Sequence, residues 1–264
     1  MRDSRYDEIF LYFKEDGHKY NDDFGNEYKS VTTLLHGYAP AFDKDYWLKK
    51  KAKELNIRPL DIKEFKDATE NKYPKIYEVF DYYTTNGYTI YSEIGAFLID
   101  YLISGTIDVL CIRDDKFVIG DWKTNRGGLI FESGYYKKDK RTKPAQTTNI
   151  WVPKKETLLP PLTNLPNCNG SIYNLQLSMY AYMVEQILGI PNAGLWLCHI
   201  DSDFVLNEYG MPRRFPDGLY HIKTNRVEKV TLYKMKYLRQ DIVNILNDRR
   251  REVEASRIQS KTLF

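Results

Sequence analysis

Asp108, Asp121 and Lys123 carry the strongest chemical pattern in the chain. They lie in "GTIDVLCIRDDKFVIGDWKTN", residues 105–125, two short stretches fit for burial joined by a polar turn. Setting Asp114 and Asp115 at the centre of a two-residue turn puts Arg113 opposite Lys116 and Asp108 directly across from Asp121. Opposed side chains of an antiparallel pair have Cβ atoms roughly 4.5 to 5.5 Å apart, where two like charges destabilise the pair unless a cation lies between them. A divalent metal would meet that need. A Lys123 salt bridge to one acid, with the other reaching solvent at the strand end, is the alternative, and the pattern leaves both open. Strand alternation puts Lys123 on the face of Asp121 and turns Trp122 the other way. It also assigns Ile107, Val109 and Cys111 to one face and Leu110, Phe117 and Ile119 to the other, so the sheet is expected to be covered on both sides.

Two carboxylates around one hard cation, Mg²⁺ or Mn²⁺, make an oxygen-rich site with open positions for water and phosphate oxygens. The cation would lower the pKa of a water and polarise a phosphoryl group, while Lys123 would hold or deprotonate the nucleophile and offset developing charge. This is the inventory for phosphodiester hydrolysis.

The elements that must position these groups follow from pattern. Residues 1–28 read as strand, turn and strand. Asp43 is placed to cap a helix running to about Leu55, and a second helix covers 61–84. "YTIYSEI" and "AFLIDYLISGTIDVLCI" are strand material. Residues 126–170 hold five prolines and the basic run Lys137, Lys138, Lys140, Arg141 and Lys143. This segment is expected to be a long inserted loop. Leu175, Met179, Tyr182 and Met183 recur at helical spacing in 172–188, closed by Gly189 and Pro191. "GLWLCHI" and "LYHIKT" read as further strands, and a C-terminal helix is predicted over 227–253, with Leu232, Met235, Leu238, Ile242, Ile245 and Leu246 on one stripe.

The 264 residues, 42% hydrophobic and 14% aromatic, suit a single α/β domain over 1–264 with a sizeable core. No apolar run approaches the roughly 20 residues that span a bilayer, so no membrane partner is expected. The first ten residues resemble neither a secretory nor a transit signal, which makes a cytoplasmic setting the default. Cys111, Cys168 and Cys198 are too widely spaced to suggest a disulfide framework or a clustered metal site. Net charge is only +3, so any nucleic-acid contact must come from local clusters: Lys49, Lys50, Lys51 and Lys53, the run from Lys137, and Arg249 to Arg251. The absence of GxGxxG and GxxxxGK[ST] argues against a nucleotide-binding enzyme.

Asp108 followed by "GDWKT", with Asp121 and Lys123, resembles the D…(D/E)xK core of the PD-(D/E)xK nuclease superfamily. "LQLSMYAYM", with Gln176 and Tyr180, resembles the QxxxY motif of its RecB-like branch. "SVTTLL", "FDKDYW" and "SEIGAFLIDYLISGTIDVL" are similar to phage and mitochondrial genome maintenance exonucleases of that branch, over roughly residues 28–200. The resemblance implies a restriction-endonuclease-like core, a mixed central sheet flanked by helices. It further implies a metal-dependent DNA exonuclease acting on linear ends or single strands in a bacterial or phage-infected cell. Asp108, Asp121, Lys123, Gln176 and Tyr180 would form its catalytic set, and Glu93 would join Asp108 and Asp121 at the metal. The helix before the sheet lacks the branch's metal-binding His, with Glu78 a possible substitute, and no four-cysteine pattern points to an iron-sulfur cluster. Lys137, Lys138, Lys140 and Arg141 would track phosphate, and Tyr135 and Tyr136, with Trp151 nearby, would stack on unpaired bases. The missing His motivates a second reading, a nuclease-fold DNA-binding or phage accessory protein with weak or no cleavage.

Overall fold

In the computed structural model, residues 9–14, 19–40, 73–225 and 227–262 are described. The helix from Asp43, the Lys49 to Lys53 cluster, "FDKDYW" and the first part of the 61–84 helix lie outside them. Strands β1 (Leu11–Lys14), β2 (Lys19–Asp22) and β3 (Glu27–Ser30) form an antiparallel meander that leads into α1 (Val31–His36). Ser30 caps α1, its hydroxyl accepting from Thr33 N at 3.1 Å. Helix α2 (Pro74–Thr85) begins with proline in its first turn, and the Glu228 carboxylate takes the free N–H groups of Lys75 and Ile76 at 2.9 and 3.3 Å.

Strands β4 (Thr89–Leu98), β5 (Ile103–Arg113) and β6 (Lys116–Lys123) follow, antiparallel in succession. Helix α3 (Asn169–Leu188) ends on Gly189, whose φ of 69° places it in the left-handed conformation that glycine adopts without penalty. Strand β9 (Asn192–Asp201) then lies parallel to β6, and β3 lies parallel to the start of β5. With β10 (Lys229–Met235), the result is a mixed eight-stranded sheet, β1-β2-β3-β5-β6-β9-β10 with β4 also on β5.

Each face of this sheet has its own core. The larger joins α1, α3 and the C-terminal helix α4 (Arg239–Thr262) to the sheet through Leu34, Leu35, Leu175, Met179, Ile242 and Leu246 packed on Ile103, Ile107, Leu110, Phe117 and Ile119. The smaller sits under α2, where Val79 meets Val109, Cys111, Val118, Trp196 and Cys198. Burial there pushes the thiols of Cys111 and Cys198 up to about 12.

Three expectations are corrected. The C-terminal helix α4 runs over Arg239–Thr262, and residues 229–235 form strand β10 (Lys229–Met235), antiparallel to β9. Leu232, Met235 and Leu238 have helical spacing, but "KVTLYKM" is β-branched and aromatic, and pairing it covers the β9 edge. "LYHIKT" contributes only isolated bridges, Arg214 with Tyr220 and Phe204 with Ile222. The insertion is not one long loop: β7 (Gly134–Asp139) and β8 (Gln146–Pro153) pair antiparallel. Beyond them Leu158 and Leu162 fill the larger core, and Leu159 N donates to Tyr38 O at 2.8 Å.

Candidate active site

The β5–β6 hairpin has the register that its turn chemistry dictates, with Arg113 opposite Lys116 and Val109 opposite Gly120. One step further the ladder stops. Asp108 and Asp121 stand where β5 and β6 part, and Asp108 Oδ2 accepts the Trp122 backbone N–H at 3.1 Å. On its other side β5 pairs with β4 at Ser92–Val109 and at Ile94–Ile107, skipping Glu93 and Asp108. Glu93 has φ 54°, a left-handed backbone that few non-glycine residues adopt.

The alternation of faces breaks at the same point. Ile90, Val109 and Cys111 belong to the smaller core, whereas Ile94, Ile107 and Leu110 belong to the larger. Ile107 therefore does not share a face with Val109, as strict alternation predicts, because the irregularity at Glu93 and Asp108 shifts the side-chain phase by one. Trp122 does turn away from the acids, its ring 5.3 Å from Trp196 and 5.7 Å from Phe80.

Asp121 is 2% exposed. Burial raises its pKa well above the ordinary carboxylate range, and the neighbouring Asp108 adds to the rise while Lys123 opposes it. The Lys123 ammonium, 14% exposed, forms an ion pair with Asp121 Oδ2, yet that oxygen has no aligned hydrogen bond. Lys123 Nζ also donates to Gln176 Oε1 at 3.3 Å and lies 4.6 Å from the centre of the Tyr173 ring. Gln176 Nε2 in turn reaches Tyr180 OH at 3.4 Å. Burial, with Asp121 and Asp108 nearby, raises the Tyr180 phenol far above its usual value.

A close approach brings Tyr180 to the site. A Cβ on Gly105 would lie 2.8 Å from Tyr180 Cε1 and 2.9 Å from its hydroxyl, so only glycine lets the helix side chain settle on β5 between its β3 and β6 pairings. Tyr20 OH comes within 3.5 Å of Thr106 Oγ1 along the same stretch. Tyr173 and Gly105 escape a reading based on the acids and Gln176 alone. The helical spacing of 173, 176 and 180 is the signal that finds the tyrosine.

The remaining candidate residues are distributed as follows. Glu93 is exposed at the irregularity, and partial burial together with Asp108 raises its pKa. Glu78 lies on the opposite side of the sheet, lining a cavity with Val118 and Trp196, and so cannot replace the missing His. Lys137, Lys138 and Lys140 are exposed on the β7–β8 hairpin, and Tyr135 is 51% exposed beside them. Tyr136 packs against Trp151 at 5.0 Å, which makes it part of the hairpin's own packing. Arg141 is engaged by Asp139 at 2.9 Å and by Tyr209 OH at 3.3 Å. Among the described residues, no three His, Cys, Asp or Glu side chains are grouped as a ready-made metal cage.

No protein-family model and no curated protein matches the chain. A solved structure described as "Putative exonuclease" from Eubacterium rectale aligns at 11% identity over 85% of this chain and 70% of that one, with a TM-score of 0.30. A likeness of that size does not bear on activity. No helix among the described residues is long and apolar enough to cross a membrane.

Proposed function

We propose that the chain is a metal-dependent deoxyribonuclease of the PD-(D/E)xK type, an exonuclease acting on linear ends or single strands. The observation that carries this is the Asp121 carboxylate, buried beside a second carboxylate at the place where two strands separate, with one oxygen lacking an aligned hydrogen bond. Lys123 pairs with that carboxylate, and two carboxylates against one ammonium leave the site short of positive charge, which a divalent cation would supply. The donor set fits Mg²⁺ or Mn²⁺: Asp108 and Asp121 would hold it, with Glu93 and water completing a hard oxygen shell. Bound there, it would supply Lewis-acid polarisation of the phosphoryl group and lower the pKa of a water.

The chain's own groups have defined tasks around that chemistry. Lys123 has three N–H donors, one directed at Gln176 Oε1 and one toward Asp121, which leaves a third for the attacking water or a developing phosphoryl charge. Gln176 and the Tyr173 ring hold the ammonium in place. Tyr180 anchors Gln176 and closes the cleft against Gly105. Water adds to phosphorus and gives up one proton to solvent, the bond from phosphorus to the leaving sugar oxygen breaks, and that oxygen takes a proton from solvent, so the net reaction consumes one water. Lys137, Lys138, Lys140 and Tyr135 are exposed on the hairpin where a strand could lie, whereas Arg141 and Tyr136 serve the hairpin's structure.

The ion pair between Lys123 and Asp121 favours a second reading, since it partly neutralises the site without metal: a DNA-binding protein that does not cut. Incubating the protein with end-labelled linear DNA and circular DNA, in Mg²⁺, Mn²⁺ or EDTA, separates the two. Shortening of linear DNA that requires metal and is abolished by Asp121→Asn and Lys123→Ala is expected. Parent-like cutting by those variants overturns the site, a gel shift without cutting favours the second reading, and a nicked circle indicates an endonuclease.

A further inference from the structure

The β7–β8 hairpin does not stand alone. The segment 203–223 returns to it from the end of β9 and is joined to it by bonds between residues far apart in the chain. Tyr209 OH donates to Asp139 Oδ2 at 2.7 Å, and Asn207 Nδ2 donates to Thr147 O at 2.8 Å. Gln146, itself buried, clasps the Arg214 backbone twice: its Nε2 donates to Arg214 O at 2.7 Å and its Oε1 accepts from Arg214 N at 2.9 Å. At the base, buried Asp203 binds Lys223 and Lys229 at 2.9 and 2.8 Å and takes the Val227 N–H. The two excursions thus make one arm. Arg126, three residues beyond Lys123, lies 3.5 Å from the Tyr220 ring centre and ties the arm to the strand that carries the candidate site.

Between the hairpin and the returning segment lies an open concavity of about 350 Å³, with Thr142, Lys143, Asn207, Glu208, Arg213 and Arg214 among its walls. Its charges differ from those of the hairpin tip. Arg141 is held by Asp139, but Lys143 and Arg213 have no carboxylate partner among the described residues. Arg213 rests on the Phe215 ring at 4.8 Å, which covers one guanidinium face and leaves the N–H edge available. Arg214 is fixed by Gln146 and by its own Nε bond to Gly218 O at 3.3 Å. Glu208 is the one acid on the wall, and Lys143 and Arg213 outnumber it.

We infer that this concavity is a subsite for a backbone phosphate of the DNA strand, gripped by Lys143 and Arg213 and presented by Gln146. A monoanionic phosphodiester, with two unesterified oxygens, suits a guanidinium edge and an ammonium set on the same wall. The contact of Arg126 with Tyr220 links the arm to the turn that follows Lys123, so the strand would be held at a phosphate apart from the one that is cut. The inference rests on the reading of the chain as a DNA nuclease.

The test is binding rather than cleavage. Fluorescence anisotropy of a labelled single-stranded oligonucleotide is followed in EDTA over a salt series, for the full-length protein and its variants. The Lys143→Ala/Arg213→Ala variant is expected to bind about tenfold more weakly and to show a salt slope shallower by about one or two. Glu208→Gln should bind a few-fold more tightly, a gain that misfolding cannot mimic. Lys116→Ala, at the β5–β6 turn, should match the parent. If the parent binds and the double variant binds equally with the same slope, the subsite is wrong while the DNA reading stands. If the parent itself does not bind, the DNA reading fails and the subsite fails with it.

Discussion

The two ends of the β5–β6 hairpin are built for opposite purposes. From Arg113 and Lys116 to Val109 and Gly120 every residue is paired, and the side chains between them fill the two cores. One residue beyond, pairing stops on both sides of Asp108, and two carboxylates and a lysine occupy the gap. Between the charged turn and that point, residues 109–112 and 117–120 carry no charged side chain, and their backbone and side chains are already satisfied. The open end tolerates charge because strand divergence leaves room for a ligand, and α3 supplies the polar lining. Charged residues in a buried strand therefore mark where the ladder ends.

The largest effect should come from removing the charge at the open end. Asp121→Asn is expected to lower metal-dependent cleavage by a factor of about 10² to 10³ or more, and Lys123→Ala by about 10², in single-turnover assays on linear DNA. Comparable changes at the paired end should act on folding instead. A Cβ on Gly120 would lie 2.0 Å from the Trp196 ring. Gly120→Ala should therefore cost about 1–3 kcal/mol or more by overpacking, read from urea denaturation. Equal loss of stability in Asp121→Asn and Gly120→Ala would dissolve the distinction between the ends.

The contrast also has a pH signature. Because the pKa of Asp121 is raised on folding, the native state keeps a proton that the unfolded chain has released. Stability contributed by this group should fall as pH rises from the ordinary carboxylate value toward the raised one, and level off above it. Asp121→Asn should flatten that slope and be more stable than the parent at neutral pH in EDTA. Mg²⁺ should reverse the parent's deficit by about 2.7 kcal/mol at a hundredfold excess over its dissociation constant, and leave Asp121→Asn unmoved. Melting curves over a pH series, with Mg²⁺ and with EDTA, check both signs.

How much of this could be read beforehand depends on the range of the interactions. The hairpin register from Arg113–Lys116 to Val109–Gly120 follows from the local turn, and the approach of Gln176 to Tyr180 follows from helical spacing, whereas the expected ladder pair of Asp108 with Asp121 and the shared face of Ile107 and Val109 do not form. The break at Glu93 and Asp108 is not local. One edge of β5 is taken by β3 at Ile103 and Ser104 and by β6 from Val109 onward, and on the other edge β4 skips Asp108, so Asp108 lacks a ladder partner on both sides. The arm was illegible for the same reason, since Gln146 and Arg214 are 68 residues apart in the chain. Arg141 is an instructive middle case. Its basic run suggested a phosphate contact, yet Asp139, two residues away, neutralises it.

The smallest expected effect concerns how the open end is maintained. Glu93 has a positive φ that costs a non-glycine residue roughly 1 kcal/mol or more, and its carboxylate stands opposite Asp108 across the skipped pair. Glu93→Gly relieves the backbone and removes the carboxylate, whereas Glu93→Ala removes the carboxylate and keeps the strain. Both remove the same charge near Asp108, so the difference in stability between them isolates the backbone, and Gly should exceed Ala by about 1 kcal/mol. Their cleavage rates should fall together if the carboxylate helps to hold the metal. If Glu93→Gly cuts as well as the parent while Glu93→Ala does not, Glu93 contributes only the shape of the gap, and the open end depends on Asp108, Asp121 and Lys123 alone.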